Sequence, residues 1–179
     1  LADPEITVFG TPPPSGTRDA VVELVMREGC KEFDIVKAME KADMKKACSP
    51  MRTDGPFIEA GENDNLIVQR LEADPNAYGI FGYSFLYENQ DKLQGIAVEG
   101  VTPSTETIAD GSYKVSRPLF FYVKNAHRGV IPGLNEFVAE YVIEDARGDG
   151  GDLSERGLNP PPAETRYEGR KHAPASTRT

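Results

Sequence analysis

The sequence lacks the features on which several common classes of protein depend. No run of about 18 apolar residues occurs in the 179-residue chain, so the sequence predicts no membrane-spanning helix. Basic residues are outnumbered, with 20 Lys and Arg against 29 Asp and Glu, and the formal net charge is −9. Because a nucleic-acid-binding protein needs a basic face, nucleic acid is not an expected partner. The chain begins at Leu1 rather than at a methionine, which indicates a processed or truncated product.

Histidine and cysteine are also scarce, with two of each. A structural zinc site usually needs four sulfur or histidine ligands, so no metal site is predicted. His127 is expected in a loop and His172 in the C-terminal tail, and neither indicates a catalyst. Cys30 and Cys48 are either two free thiols or one disulfide. We favour the disulfide, which would stabilise the fold by about 3 kcal/mol and indicates an oxidising compartment.

The most distinctive stretch present is Gly10–Asp19, which reads Gly-Thr-Pro-Pro-Pro-Ser-Gly-Thr-Arg-Asp. A strand is predicted before it at Glu5–Phe9, and a helix after it from Gly16 to Glu28, because the three prolines permit neither element between them. The Ser15 hydroxyl is placed to cap this helix. The first N–H groups of a helix have no partners within the helix, and they lie at its positive end.

Ser15, Gly16, Thr17 and Arg18 each offer a hydrogen-bond donor at this predicted helix start. Gly16 allows a ligand close to the backbone, Ser15 and Thr17 add hydroxyl groups, and Arg18 offers a fork of N–H groups. This combination predicts a site for an oxyanion. Ordinary helix capping explains the same residues equally well. No Gly-Lys-Ser/Thr follows, so phosphoryl transfer is not indicated.

The rest of the chain alternates predicted strands with predicted helices, which is typical of an α/β fold. Hydrophobic residues make up 39% of the chain, as in a globular domain. The further predictions are a helix over Ile35–Ala47, a connection over Ser49–Glu59, a helix capped by Asn63 or Asp64, a central strand at Tyr78–Tyr83, a helix over Ser84–Lys92, a strand at Leu93–Val98, a loop over Gly100–Ser112, a strand inside a sheet at Pro118–Lys124 and an amphipathic helix from Leu134 to Val142.

Four separated stretches carry a resemblance to known proteins over about Ile6 to Leu158. They are Phe9-Gly10 through Pro13-Pro14-Ser15-Gly16-Thr17-Arg18-Asp19, Ala60-Gly61-Glu62-Asn63-Asp64-Asn65-Leu66-Ile67-Val68, Gly79-Ile80-Phe81-Gly82-Tyr83-Ser84-Phe85-Leu86 and Ser116-Arg117-Pro118-Leu119. Together and in this order they resemble the PstS family, the periplasmic phosphate-binding proteins of bacterial phosphate ABC importers. The resemblance implies a type II periplasmic-binding-protein fold, with two α/β lobes joined by a hinge and phosphate clamped between them.

The resemblance also implies which residues contact phosphate. In the family, the Ser-Gly-Thr loop of the second lobe does so, which carries over to Ser15, Gly16 and Thr17, with Arg18 as the guanidinium partner. Some members place an arginine and a proton-accepting aspartate just before this loop, where the present chain has Thr11 and Pro13.

The acceptor for the phosphate proton is therefore assigned only as a hypothesis. Asp64 and Asp19 are the candidates, because both lie near predicted helix starts.

The same resemblance implies an incomplete first lobe, since nothing before Leu1 supplies it. Residues 1–117 resemble the second lobe, residues 118–158 the returning strand and helices that complete the first lobe, and residues 159–179 a flexible tail. Such a chain holds half a site, so the missing first-lobe segment or a second chain is an expected partner.

The implied function is a non-enzymatic receptor that delivers inorganic phosphate to the membrane permease of an ABC importer. It would act without a cofactor, in the periplasm or outside the cell. The alternatives are an extracytoplasmic phosphatase that uses the same loop, although Ser15 has no evident base, and a receptor for another tetrahedral oxyanion. A further hypothesis is a structural or adhesive fragment in which Ser15 only caps a helix.

Overall fold

The computed structural model describes residues 5–171, which form two compact units. Unit 1 comprises residues up to Val98 together with Lys114–Ser116, and unit 2 comprises Glu99–Tyr113 and the residues from Arg117 onward. His172 lies outside the described residues. Within residues 5–171, no helix combines the length and the apolar character that a bilayer span requires.

Unit 1 is built on a small parallel sheet. Its strands are β1 (Val8–Gly10), β2 (Phe57–Glu59) and β3 (Tyr78–Gly79), in the spatial order β2-β1-β3. Val8 is aligned with Phe57 on one side and with Tyr78 on the other, so β1 is the central strand. The helical segments of unit 1 are α1 (Gly16–Val21), a π-helical segment (Val22–Met26), α2 (Arg27–Cys30), α3 (Asp34–Lys37), α4 (Lys41–Ala47), α5 (Asp64–Ala73) and α6 (Tyr83–Glu88).

Three of the sequence predictions for unit 1 are corrected. The segment predicted as a central strand at Tyr78–Tyr83 supplies only the two-residue edge strand β3, because its later residues already lead into α6. The predicted connection over Ser49–Glu59 contains β2 at its end. The strand predicted at Leu93–Val98 is not formed either, since among the described residues only Val98 of that segment makes an isolated β-bridge.

The core of unit 1 lies between the sheet and α5. Phe9 of the central strand and Ile67 of α5 are buried together, and the side chain of Ile67 is fully inaccessible. Helix α5 approaches β3 closely at Gly79, where a Cβ atom would lie 2.5 Å from Leu71 Cδ1 and 3.1 Å from Ile67 Cγ2. Glycine at this position therefore sets the distance between the helix and the sheet.

The helices predicted over Gly16–Glu28 and Ile35–Ala47 are both present, and the second is interrupted. Helical structure continues from Gly16 through a π-helical segment to Cys30, one residue beyond the predicted stop at Gly29. The helix predicted over Ile35–Ala47 is divided into α3 and α4. A straight helix of that length would be about 20 Å long, and the division lets the chain return to the Cys30–Cys48 disulfide, whose Cα atoms lie 6.1 Å apart. The predicted disulfide is thus confirmed.

Unit 2 is mainly helical in the part of the chain that the structure describes. Its elements are α7 (Thr105–Ala109), a 3₁₀ turn (Asn125–His127), α8 (Leu134–Tyr141), α9 (Glu144–Arg147) and α10 (Ala163–Lys171). The predicted amphipathic helix is confirmed as α8, with Val138 and Ala139 buried. The predicted loop over Gly100–Ser112 instead contains α7, because Ser104 and Thr107 form a reciprocal capping box at its start.

The strand predicted at Pro118–Lys124 is not formed. The segment has no assigned helix or strand, and no strand pairs with it among residues 5–171. Leu119, Phe120, Phe121 and Tyr122 are exposed, whereas a strand inside a sheet is covered on both faces. The prediction was wrong because it depends on neighbouring strands that the described chain does not provide.

The predicted tail from Asn159 onward also differs from the structure, because α10 lies within it. The Arg166 side chain of α10 is buried and forms ion pairs with Glu144 at 3.0 Å and with Asp149 at 3.2 Å. Arg170 forms a further ion pair with Glu144. The sequence composition did not indicate this helix, because ion pairs with acidic residues in and after α9 hold it in place, and it has no apolar stripe.

Replacing Cys30 and Cys48 together by serine should lower the free energy of unfolding by about 3 kcal/mol, because the disulfide closes a loop with a sequence separation of 18. Urea denaturation of the oxidised chain and of the double variant measures the difference. Reduction of the unmodified chain is the matched control and should give a similar loss. A loss below about 1 kcal/mol would show that the unfolded chain is not restrained as this estimate requires.

Candidate functional site

The carboxyl ends of the three parallel strands meet at one edge of the sheet, and each strand leads into a helix. β1 is followed by the loop to α1, β2 by the loop to α5 and β3 by the loop to α6. In open α/β sheets, ligands bind outside the carboxyl ends of the strands, where the connections diverge to opposite sides. The order β2-β1-β3 places this divergence between β1 and β3. The edge between those strands is therefore the candidate site.

The loop after β1 has the conformation that the sequence predicts. Ser15 is extended, and its Oγ accepts a hydrogen bond from the Thr17 amide at 3.2 Å, so Ser15 is the N-cap of α1. The Ser15 amide donates to the Pro12 carbonyl at 3.0 Å, which closes the proline turn. Ser15, Gly16, Thr17 and Arg18 thus share the cap and first turn of one helix, at the carboxyl end of the central strand.

Thr11 was missed as a functional candidate. Its side chain is 2% exposed, and its Oγ1 has no hydrogen-bond partner among the described residues. A buried hydroxyl without a partner is costly, so this group leaves hydrogen-bonding capacity unused at the start of the loop. A lone threonine before three prolines gives no signal in the sequence that could have found it.

Arg18 is held by the neighbouring strand β2. Its guanidinium forms an ion pair with Glu59 at the carboxyl end of β2 and lies 5.5 Å from the centroid of the Phe57 ring. One N–H group is used by Glu59, and the guanidinium has five in total. Sequence reasoning missed Glu59 because it assigned β2 to a connection. Phe57-Ile58-Glu59 has two apolar residues in succession and is only three residues long, so the sequence carries little signal for a strand there.

Asp64 joins two of the three loops at this edge. It is the first residue of α5, and its Oδ2 accepts a hydrogen bond from the Gly82 amide, the N-cap of α6, at 3.1 Å. The predicted cap of α5 is confirmed as Asn63, whose Oδ1 accepts from the Asn65 amide at 3.1 Å. The other candidate proton acceptor, Asp19, lies in the first turn of α1.

The site contains donors and carboxylates but no recognisable metal centre. Across residues 5–171, no group of three or more His, Cys, Asp or Glu side chains could hold a metal ion. His127 belongs to unit 2, whereas the loops of the candidate site all belong to unit 1. Ser15 Oγ accepts a hydrogen bond from the Thr17 amide, and within the described chain no general base is hydrogen-bonded to it. The arrangement is suited to binding an anion through directed donors.

Comparison with known proteins identifies one matching family and several similar proteins. Residues 1–145 match a family described as "PBP superfamily domain". The chain is 34% identical over 122 residues to the phosphate-binding protein PstS of Staphylococcus haemolyticus, which covers 65% of this chain and 34% of that protein. PstS of Staphylococcus saprophyticus is 33% identical over 122 residues, and the match again covers 65% of this chain and 34% of that protein. The chain therefore spans about a third of the length of these relatives.

Two solved structures share the fold. One is described as a possible phosphate binding protein from Planctomyces limnophilus, with a TM-score of 0.55, 27% identity and coverage of 93% of this chain and 51% of that one. The other is PstS from Borrelia burgdorferi, with a TM-score of 0.52, 16% identity and coverage of 87% and 53%. The α/β fold expected from the sequence is thus shown, and the chain corresponds to about half of each structure.

Replacing Asp64 by alanine should lower the free energy of unfolding by about 1–2 kcal/mol, because the Gly82 amide loses a charged acceptor. Asp64→Asn retains an acceptor oxygen and should lose less. Urea denaturation measures both. Asp74→Ala is the control, since the Asp74 side chain accepts a local hydrogen bond from the Asn76 amide, and it should cost less than about 0.5 kcal/mol. Equal losses at both positions would contradict a tether between the loops.

Proposed function

The chain belongs to the PBP superfamily, and from this membership we propose that it binds inorganic phosphate as the extracytoplasmic solute receptor of an ABC phosphate importer. Relatives named phosphate-binding protein PstS support the ligand. The single observation that carries the proposal is the capped helix start Ser15–Arg18 at the carboxyl end of the central strand. A confirmed disulfide supports a compartment outside the cytoplasm.

We assign the direct contacts to Ser15, Gly16, Thr17 and Arg18. Helix N-terminal amides point along the helix axis toward the space beyond the cap, and the helix dipole favours negative charge there. The Ser15 and Thr17 hydroxyls add donors that rotate to suit a tetrahedral anion. Directed hydrogen bonds of this kind bind a small anion even on a chain whose net charge is −9.

Arg18 is proposed to share its guanidinium between Glu59 and phosphate. The ion pair with Glu59 holds the side chain in one position, so less rotamer freedom is lost when the anion arrives. The same carboxylate competes for the guanidinium and repels an anion nearby. Glu59 therefore positions Arg18 at a cost in affinity.

Asp64 is proposed as the acceptor for the proton of hydrogen phosphate. A carboxylate next to an oxyanion accepts a hydrogen bond from a protonated ligand and repels a fully ionised one such as sulfate. Asp64 Oδ2 bonds to the Gly82 amide, which fixes the orientation of the carboxylate. If Asp64→Asn still rejects sulfate, Asp64 has no part in this selection.

The lobe assignment is part of the proposal. We propose that residues 1–117 are the second lobe, that residues 118–158 return to complete the first, and that the polypeptide equivalent to the unmatched part of the relatives supplies the opposing half of the site. Phosphate on a half-site keeps much of its hydration, so the chain alone should bind it weakly. Release of phosphate from an ester by this chain would favour the phosphatase alternative instead.

Replacing Ser15 by aspartate should separate binding from stability. Aspartate is as good an N-cap as serine, so the free energy of unfolding should change by less than about 0.5 kcal/mol. Its negative charge opposes an anion at the same place, so phosphate affinity should fall by at least about 100-fold. Calorimetric titration with phosphate, after denaturing and refolding to remove carried-over anion, measures the affinity, and sulfate is the ligand control.

Asn63→Asp is the matched protein control. It adds the same charge to the N-cap of α5 at the same sheet edge, and it should retain most of the phosphate affinity. If both variants lose affinity equally, the effect comes from general repulsion, and the assignment of the ligand to the α1 start is wrong.

Replacing Glu59 by glutamine should raise phosphate affinity by about threefold to tenfold, because it removes a competing charge from Arg18. Arg18→Lys should lower affinity by at least about tenfold, since the ammonium group cannot make a bidentate contact. The same titration measures both. Unchanged affinity in both variants would show that this ion pair lies outside the binding site.

A further inference from the structure

An apolar surface of unit 1 lies beside the Cys30–Cys48 disulfide, and the proposed phosphate contacts do not use it. The side chains of Phe33 and Ile35 are 64% and 73% exposed, and those of Val25 and Met39 are exposed as well. An open groove of about 460 Å³ has Phe33 in its wall. Large apolar side chains exposed around a groove mark an interaction surface, because soluble proteins rarely leave such patches uncovered.

Two short segments of opposite charge border this groove. Residues 28–34, here called the acidic arm, contain three acidic residues and one lysine. Residues 41–47, which form α4 and are here called the basic arm, contain three lysines and one aspartate. The Cα atoms of Cys30 and Cys48 lie 6.1 Å apart, so the disulfide holds the two arms side by side. The groove lies between the arms, because its lining includes Gly29, Cys30 and Phe33 together with Ala47 and Cys48.

Most of the charge on the two arms is available to a partner. In the acidic arm, Glu28 pairs with Lys31, and Asp34 pairs with Lys37 outside the arm. Within residues 5–171, Glu32 and the three lysines of the basic arm form no ion pair, and all four side chains are exposed. The lysines of the basic arm are Lys41, Lys45 and Lys46. A docking partner therefore has to present a basic region next to an acidic one.

The charge distribution favours a second copy of this chain as that partner. Residues 27–48 contain six Lys and Arg and five Asp and Glu, so the rest of the chain carries a net charge of −10. Two copies therefore repel each other over most of their surface and least at this segment. In a contact with two-fold symmetry, an acidic arm that faces the partner's basic arm requires the reverse contact as well. Two arms of opposite charge beside one groove satisfy this requirement.

We propose that two copies of the chain form a two-fold symmetric dimer through residues 27–48, with the acidic arm of each copy against the basic arm of the other. Phe33 of each copy covers the groove of its partner, as an aromatic anchor at the apolar centre of an interface with a charged rim. A standard interface uses about 20–30 residues on each side. This segment has 22 residues, so the dimer should be small and reversible. The proposal does not depend on phosphate being the ligand.

Charge exchange between the arms tests the contact. We expect a monomer–dimer equilibrium in sedimentation of the 179-residue chain between about 1 and 300 µM. Lys45→Glu with Lys46→Glu makes both arms acidic, and Glu28→Lys with Glu32→Lys makes both arms basic. Each double variant should dimerise at least about tenfold more weakly than the parent. An equimolar mixture of the two should form a heterodimer within about threefold of the parent affinity, because unlike arms face each other again.

Matched variants separate this contact from general effects of charge and apolar surface. Lys114→Glu with Lys124→Glu changes the net charge equally at two exposed lysines outside the arms, and dimerisation should change by less than about threefold. Phe33→Ser should weaken dimerisation at least about tenfold. Tyr167→Ser should leave it unchanged, although Tyr167 is 61% exposed.

Three results would overturn the proposal. They are a chain that stays monomeric at the highest concentration, a mixture of the two double variants that stays dissociated, and an equal loss of dimerisation in the Lys114/Lys124 variant. Circular dichroism confirms that each variant folds. If the Glu28/Glu32 variant does not fold, Glu32→Lys alone replaces it in the mixture.

Discussion

The pairing of β1 with a parallel strand on each side is the interaction on which unit 1 depends. Parallel pairing requires every connection to cross from one end of the sheet to the other, so all three helix starts fall at the same edge. The Ser15 cap, the Arg18–Glu59 ion pair and the Asp64–Gly82 hydrogen bond all lie on these connections. A change in strand order would separate groups that are far apart in the sequence. The candidate site is therefore a product of topology as much as of the Ser-Gly-Thr motif.

Local features of the fold could be predicted from the sequence, and non-local ones could not. The Ser15 and Asn63 caps and the helix α8 follow from chemistry within a few residues, and the Cys30–Cys48 disulfide has few alternatives in a chain with two cysteines. Strand β2 is three residues long, and its alternation is too short to recognise without its partner. The segment Pro118–Lys124 shows the opposite error. Its pattern is that of a buried strand, but a pattern does not reveal whether neighbouring strands are present.

Electrostatics explains how an acidic chain can present a site for an anion. The excess of acidic residues is distributed over the surface, and it affects the approach of an anion at long range, where salt screens it. In the proposed site, the anion would be held within a few ångströms by helix amides, hydroxyl groups and one guanidinium. Among the carboxylates at the edge, Glu59 pairs with that guanidinium and Asp64 accepts from an amide. These two acidic groups thus hold donor groups in position instead of only repelling an anion.

Gly79 shows how a residue without any polar side chain can control this edge. A methyl group there would meet Leu71 and Ile67, both on α5. Helix α5 would then move away from β3, and it would carry Asp64 at its start away from Gly82. The absence of a side chain at Gly79 thus links the packing of the core to the positions of the loops at the candidate site. A substitution there would disturb that site without changing any of its polar groups.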